Sequence, residues 1–161
     1  MSVKKFGGWS ISQELFNWIL ENLPEGKTIL ELGSGSGTVE LTHHYNVYSI
    51  EHNEKWVGRA EKSTYIHAPI VEYNGYSWYD VEIVREQLPK EYDLILVDGP
   101  PGAIGRKGFL KNIHLFNTDV PIIIDDSNRR EEAEMTGSLV NKLRKRAVHF
   151  YGAGKKFSVL C

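Results

Sequence analysis

The segment Thr28-Ile29-Leu30-Glu31-Leu32 runs directly into Gly33-Ser34-Gly35-Ser36-Gly37. A short apolar run stopped by a glycine cluster reads as a buried strand feeding a tight turn. Three glycines in five positions let the backbone leave the strand sharply and approach a ligand with no side chain in the way. A chain built around such a turn needs a sheet to bury the strand and helices to cover the sheet.

The remaining sequence supplies both. Val47-Tyr48-Ser49-Ile50 predicts a second strand ending at Glu51, and residues 65–71 predict a third. Asp93-Leu94-Ile95-Leu96-Val97 is the clearest buried strand and stops at Asp98-Gly99-Pro100-Pro101-Gly102; Val120-Pro121-Ile122-Ile123-Ile124 is a fifth, stopping at Asp125-Asp126. A first helix is opened by Ser10 as N-cap, carries Ile11, Leu15, Trp18 and Ile19 at helical spacing, and ends at Pro24 and Gly26. Further helices are predicted over 38–45, 54–62, 79–88, 107–116 and 129–146. In the last, Glu131, Glu132 and Glu134 near the start and basic residues near the end suit the macrodipole. Residues 148–151 and 157–160, joined through Gly152-Ala153-Gly154, predict a closing hairpin that adds an antiparallel strand at one edge. Strands alternating with helices predict an α/β fold, with a mostly parallel sheet covered on both faces.

A chain of 161 residues fits one domain spanning 1–161, with 1–26 as an N-terminal helical segment. The single cysteine, Cys161, has no partner for an internal disulfide, so a reducing, cytoplasmic setting is expected. No apolar run approaches the roughly 20 residues of a membrane span, and the N-terminus lacks the apolar stretch of a signal peptide. A membrane partner is not expected. The net charge of −2 gives no global reason to expect nucleic acid. Association between copies is left open.

In sheets of this kind ligands bind at the C-terminal ends of the strands. The polar clusters fall there: Gly33 to Gly37, Glu51, Asp98 to Gly102 and Asp125 to Asn128. Glu51 lies about 20 residues beyond the first strand, where a ribose-binding carboxylate belongs. A nicotinamide fingerprint wants glycine at its sixth position, and Thr38 stands there; a P-loop wants a Gly-Lys-Ser/Thr ending, which is missing. A nicotinamide-dependent oxidoreductase is therefore disfavoured.

Glu31-Leu32-Gly33-Ser34-Gly35-Ser36-Gly37, an acidic residue two places before a G-x-G-x-G loop, resembles the first motif of the class I S-adenosylmethionine-dependent methyltransferases. The resemblance extends over nearly the whole chain as an element order. It implies a Rossmann-like, doubly wound sheet of seven strands with a C-terminal antiparallel hairpin. It also implies S-adenosyl-L-methionine as cofactor, held by Glu31, Gly33, Ser34, Gly35, Gly37, Glu51, His52 and Asp98. The strings Ile50-Glu51-His52-Asn53-Glu54-Lys55-Trp56, Val97-Asp98-Gly99-Pro100-Pro101-Gly102 and Ile124-Asp125-Asp126-Ser127-Asn128-Arg129 look like a group of small bacterial enzymes of this class. The second string is also similar to sugar O-methyltransferases. The Asn/Asp-Pro-Pro-Tyr/Phe string of amino-methylating enzymes is not matched.

These strings imply O-methylation of a small molecule or saccharide, with Asp98 and Asp125 as catalytic residues. Asp98, Asp125 and Asp126 together resemble the ligand set of metal-dependent O-methyltransferases, which implies Mg²⁺. Arg106 and Lys107 are candidates for an anionic substrate group, and Trp78 for a substrate wall, among aromatics (Tyr73, Tyr76, Tyr79) of which about half are expected to be plain packing. Arg129 and Arg130 read as first-turn helix residues, and the adjacent His43 and His44 as surface imidazoles. Trp9 and Ser10 are candidates to fold over the cofactor. The alternative to an enzyme is a cofactor-binding module that acts only within a larger complex.

Overall fold

The computed structural model describes residues 11–152 and 154–161. Ser10 and Trp9 lie outside them, and α1 (Gln13–Asn22) is capped instead by Ser12, whose Oγ accepts from the Leu15 N–H at 3.2 Å. Then follow β1 (Thr28–Leu32), α2 (Ser36–Thr42), β2 (Asn46–Glu51), β3 (Thr64–His67), β4 (Ile70–Tyr73), β5 (Tyr76–Tyr79), α3 (Val81–Gln87), β6 (Leu94–Val97), α4 (Lys107–Lys111), β7 (Ile122–Ile124), α5 (Arg130–Leu143), β8 (Ala147–Gly152) and β9 (Lys155–Leu160).

Seven strands form one sheet in the order β3-β2-β1-β6-β7-β9-β8, with β3, β2, β1, β6 and β7 parallel. The terminal hairpin is not simply appended in chain order. Strand β9 pairs antiparallel with β7, and β8 lies outermost. Alternation along each strand divides the core. Leu30, Leu32, Ile95, Val97, Ile122 and Ile124 face α3, α4 and α5, whereas Ile29, Leu94, Leu96 and Ile123 face α1 and α2. All ten side chains are buried, each contributing roughly 1.5–3 kcal/mol.

Two predicted elements form differently. The helix expected over 54–62 is a series of turns, because Gly58 adopts φ +83° in its middle. The third strand stops at His67. After Ala68-Pro69 the chain makes a separate two-stranded sheet, β4–β5, turned by Asn74-Gly75 with Gly75 at φ +88°. Asn-Gly between short β-prone runs is a two-residue hairpin signal, and it was present in the sequence.

Candidate functional site

Sheet register brings the functional positions together. Leu32 pairs with Ile50 on one side and with Val97 on the other, and Val97 pairs with Ile124. The next residues therefore emerge side by side: Gly33, Glu51, Asp98 and Asp125. Backbone bonds fix this step, with Gly33 N–H donating to Ile50 (2.8 Å), Asp98 N–H to Leu32 (2.8 Å) and Asp125 N–H to Val97 (3.0 Å). A cavity of about 300 Å³ opens above these strand ends.

The cavity lining includes Gly33, Ser34, Glu51, His52, Asn53 and Trp56. Gly33 has φ +91°, and a Cβ there would lie 2.8 Å from the carbonyl oxygen of Asp98 and 2.9 Å from Gly99 Cα. No other residue fits that crossing. Glu51 is buried. Its Oε1 accepts from Ser34 N–H at 2.9 Å and its Oε2 from Asn53 N–H at 2.8 Å, with His52 Nδ1 at 3.1 Å from Oε2. Each oxygen keeps a further lone pair for a ligand hydroxyl.

Glu31, Gly35 and Gly37 are not brought into this cavity; with Thr38, Ile11 and Asp98 they line a narrow cleft beside it. Glu31 Oε1 accepts from Thr38 Oγ1 and from Ser49 Oγ, both at 2.6 Å, and Thr38 Oγ1 accepts in turn from Gly35 N–H at 3.0 Å. The acidic residue of the motif thus ties the glycine loop to β2. Burial, opposed by these hydroxyls and assisted by the nearby charge of Glu51, pushes its pKa from 4.5 up to about 7.

This raised value has a consequence for stability. Between pH 4.5 and about 7 the folded chain holds a proton on Glu31 that the unfolded chain releases. The associated stability is fully present below pH 4.5 and is lost as pH rises through 7. Urea unfolding of wild type and Glu31→Gln at pH 5 and pH 8 should show the stability gap moving by about 2 to 3 kcal/mol in favour of the variant at pH 8. Parallel pH curves would contradict the buried-carboxyl reading.

The same lining carries a charged group, Asp98, Arg106, Asp126, Arg129 and Lys155, with Gly99, Pro101 and Gly102. As expected from the sequence, Asp98, Asp125 and Asp126 converge, with one carboxylate oxygen from each within 4.8 Å of the others. Burial and the charge of Asp125 push Asp98 well above the usual carboxylate range; burial and the charge of Asp126 raise Asp125. Asp125 Oδ2 is buried and has no hydrogen-bond partner among the described residues.

Hard oxygen donors of this kind suit Mg²⁺, but the surroundings do not. Arg106 Nη2 stands 3.2 Å from Asp126 Oδ2 and 3.8 Å from Asp98 Oδ1, Arg129 Nη2 lies 3.6 Å from Asp126 Oδ2, and Lys155 Nζ lies 3.8 Å from Asp126 Oδ1. Asp126 thus faces three cations and Asp98 one of them, so two of the three carboxylates are already neutralised and the cluster fits a divalent ion poorly.

The three substrate candidates need correction. Arg106 lines the cavity but is 3% exposed. Its guanidinium donates to the carbonyls of Pro100 (2.9 Å), Asp125 (3.0 Å) and Asp98 (3.1 Å), which makes it a clamp between the β6 and β7 loops. Lys107 is exposed and lies outside the cavity lining. Trp78 is fully buried beneath Gly108, in the core with Tyr79 and Phe109. Tyr73 and Tyr76 stack on each other with ring centroids 5.2 Å apart. Sequence reasoning missed Asn53 and Trp56, although both stand in a quoted string. It missed Arg129, read as a helix-start residue, and Lys155, whose position depends on where β9 sits in the sheet.

No family model and no curated protein matches the sequence. Solved structures do match the backbone. It is similar to an rRNA methylase from Streptococcus thermophilus, with 11% identity and a TM-score of 0.62 over 91% of this chain and 93% of that one. It is also similar to the magnesium protoporphyrin IX methyltransferase of Synechocystis PCC 6803 with bound S-adenosylmethionine (16% identity, TM-score 0.57, 91% and 74% covered). A third is a Podospora anserina methyltransferase bound to S-adenosylhomocysteine (16% identity, TM-score 0.59, 94% and 79% covered). Backbone matches over nine-tenths of the chain, all to methyltransferases, give one conclusion: the fold of this chain is that of the class I S-adenosylmethionine-dependent methyltransferases.

Proposed function

We propose that the chain is an S-adenosylmethionine-dependent O-methyltransferase acting on a small molecule or saccharide without a metal. The observation that carries this reading is the joint placement of the Gly33 turn, the Glu51 carboxylate and Asp98 in the lining of a single cavity. Gly33 and Ser34 leave room for the cofactor to lie against the backbone, and Glu51 suits two ribose hydroxyls. His52, Asn53 and Trp56 belong to the same lining. Glu31, Gly35 and Gly37 act by holding the loop in shape.

When bound, the cofactor supplies a methyl group already activated by its sulfonium. The protein has to align an acceptor oxygen and remove its proton. Asp98 follows the end of β6 and lines the cavity, where in its ionised form its carboxylate can take the acceptor's proton. Burial and the Asp125 charge favour the protonated form, so turnover should rise with pH as Asp98 ionises. Gly99 and Pro101 form a low wall next to the reacting groups. No helix among the described residues is long and apolar enough to cross a membrane.

Transfer of labelled methyl groups to a panel of sugars, sugar acids and phenols, with and without excess chelator, tests the proposal. The expected result is turnover on a hydroxyl-bearing acceptor that chelator leaves unchanged. Loss of turnover on chelation, restored by Mg²⁺, would overturn the metal-free part. Transfer only to RNA would overturn the acceptor class.

A further inference from the structure

We propose that the acceptor carries an anionic group, a carboxylate or phosphate, and that Arg129 and Lys155 hold it at the mouth of the cavity. This rests on the methyltransferase reading and names the substrate class for the same site. The two cations come from different elements. Arg129 is the residue that opens α5, and Lys155 is the first residue of β9; both line the cavity.

Their positions are fixed by the fold. Because β9 runs antiparallel beside β7, its start lies at the C-terminal end of β7, held by Ser127 N–H donating to the Lys156 carbonyl at 2.9 Å. Gly102 makes space for Arg129, since a Cβ there would stand 2.8 Å from Arg129 Nη1. Beneath them Asp126 is the shared carboxylate, at 3.6 Å from Arg129 and 3.8 Å from Lys155, and Arg106 already contacts it at 3.2 Å.

Arg106 is sealed in, but the side chain of Arg129 is 45% exposed and that of Lys155 33%. Asp98, Asp125 and Asp126 match the three cations in number, and Arg129 and Lys155 are the two cations with side chains open to the cavity. Beyond its 3.6 Å ion pair with Asp126, the Arg129 guanidinium makes no hydrogen bond among the described residues. A planar donor fork beside a second positive charge suits a carboxylate or a phosphate. The site is small and has cavity walls, which favours the charged group of a compact acceptor over the backbone of a nucleic acid.

Calorimetric titration of inorganic phosphate and of acetate into the full chain tests this, at low ionic strength and with and without S-adenosylhomocysteine. Saturable phosphate binding is expected, weakened about tenfold by Arg129→Gln and similarly by Lys155→Gln, and only partly recovered in Arg129→Lys. Arg130→Gln should leave it unchanged, since that side chain is 93% exposed and pairs with Glu134. Absence of saturation by either anion, or equal phosphate affinity in wild type and both glutamine variants, would overturn the proposal. So would equal weakening by Arg130→Gln, or RNA displacing phosphate at far lower concentration than any small acid. Anion binding in a chain that shows no binding of S-adenosylhomocysteine itself would leave the anion site standing and remove the methyltransferase reading.

Discussion

Replacing Arg106 with methionine should lower stability by about 3 to 5 kcal/mol, the range for removing one partner from a buried ion pair. The substitution keeps most of the apolar stem and deletes the guanidinium. Three carbonyls, those of Asp98, Pro100 and Asp125, then lose their donor, and Asp126 and Asp98 lose their buried counter-charge. For a chain of this length the melting temperature should fall by about 10 °C or more. Arg106→Lys should recover little, because an ammonium cannot span carbonyls on both loops. Part of the loss should return in Arg106→Met/Asp126→Asn, where the stranded carboxylate is also removed. The double-mutant cycle, read by chemical unfolding, should give a coupling well above 1 kcal/mol. A melting point within a degree or two of wild type would show that Arg106 is not a clamp.

Gly33→Ala should be the second severe change. The positive φ costs an alanine about 1–2 kcal/mol, and overpacking adds about 1–3 kcal/mol. The atoms it meets are backbone atoms of Asp98 and Gly99, so the strain cannot be relieved by a rotamer change. Relief requires the β6 loop to move away from the glycine turn, which separates the cofactor-binding residues from Asp98. Calorimetry should show affinity for S-adenosylmethionine reduced at least tenfold, in a protein still folded at low temperature by circular dichroism. Gly137→Ala is the matched control. It sits in α5 with nothing near the added Cβ, and should stabilise by about 0.5–1 kcal/mol. Equal behaviour of the two alanine variants would contradict the close-crossing account.

Much of the fold was legible because local patterns agreed with the sheet. Each of β1, β2, β6 and β7 is an apolar run stopped by a polar or glycine residue, and those stops are Gly33, Glu51, Asp98 and Asp125. What escaped was decided by tertiary placement or by a signal passed over. Asn74-Gly75 announced the β4–β5 hairpin, and Gly58 argued against a helix over 54–62. The site's missing cations follow from strand order. A hairpin at the C-terminus was visible, but not that its second strand would insert beside β7 and so deliver Lys155. Arg106 was read as a candidate for an anionic substrate group, and nothing local to its sequence shows that three carbonyls would enclose it. Burial, not residue type, turned a substrate candidate into a clamp.

The central claim, that the cavity at the Gly33 turn takes S-adenosylmethionine, is tested most directly by calorimetric titration. The full chain should be titrated with S-adenosylmethionine, S-adenosylhomocysteine and nicotinamide dinucleotides, and the first titration repeated on Glu51→Ala. The account predicts saturable binding of both sulfur ligands, no binding of the dinucleotides, and about tenfold or greater weakening in the variant, which loses two ribose contacts to a carboxylate. Binding of the nicotinamide dinucleotides alone, or undiminished affinity in Glu51→Ala, would contradict it.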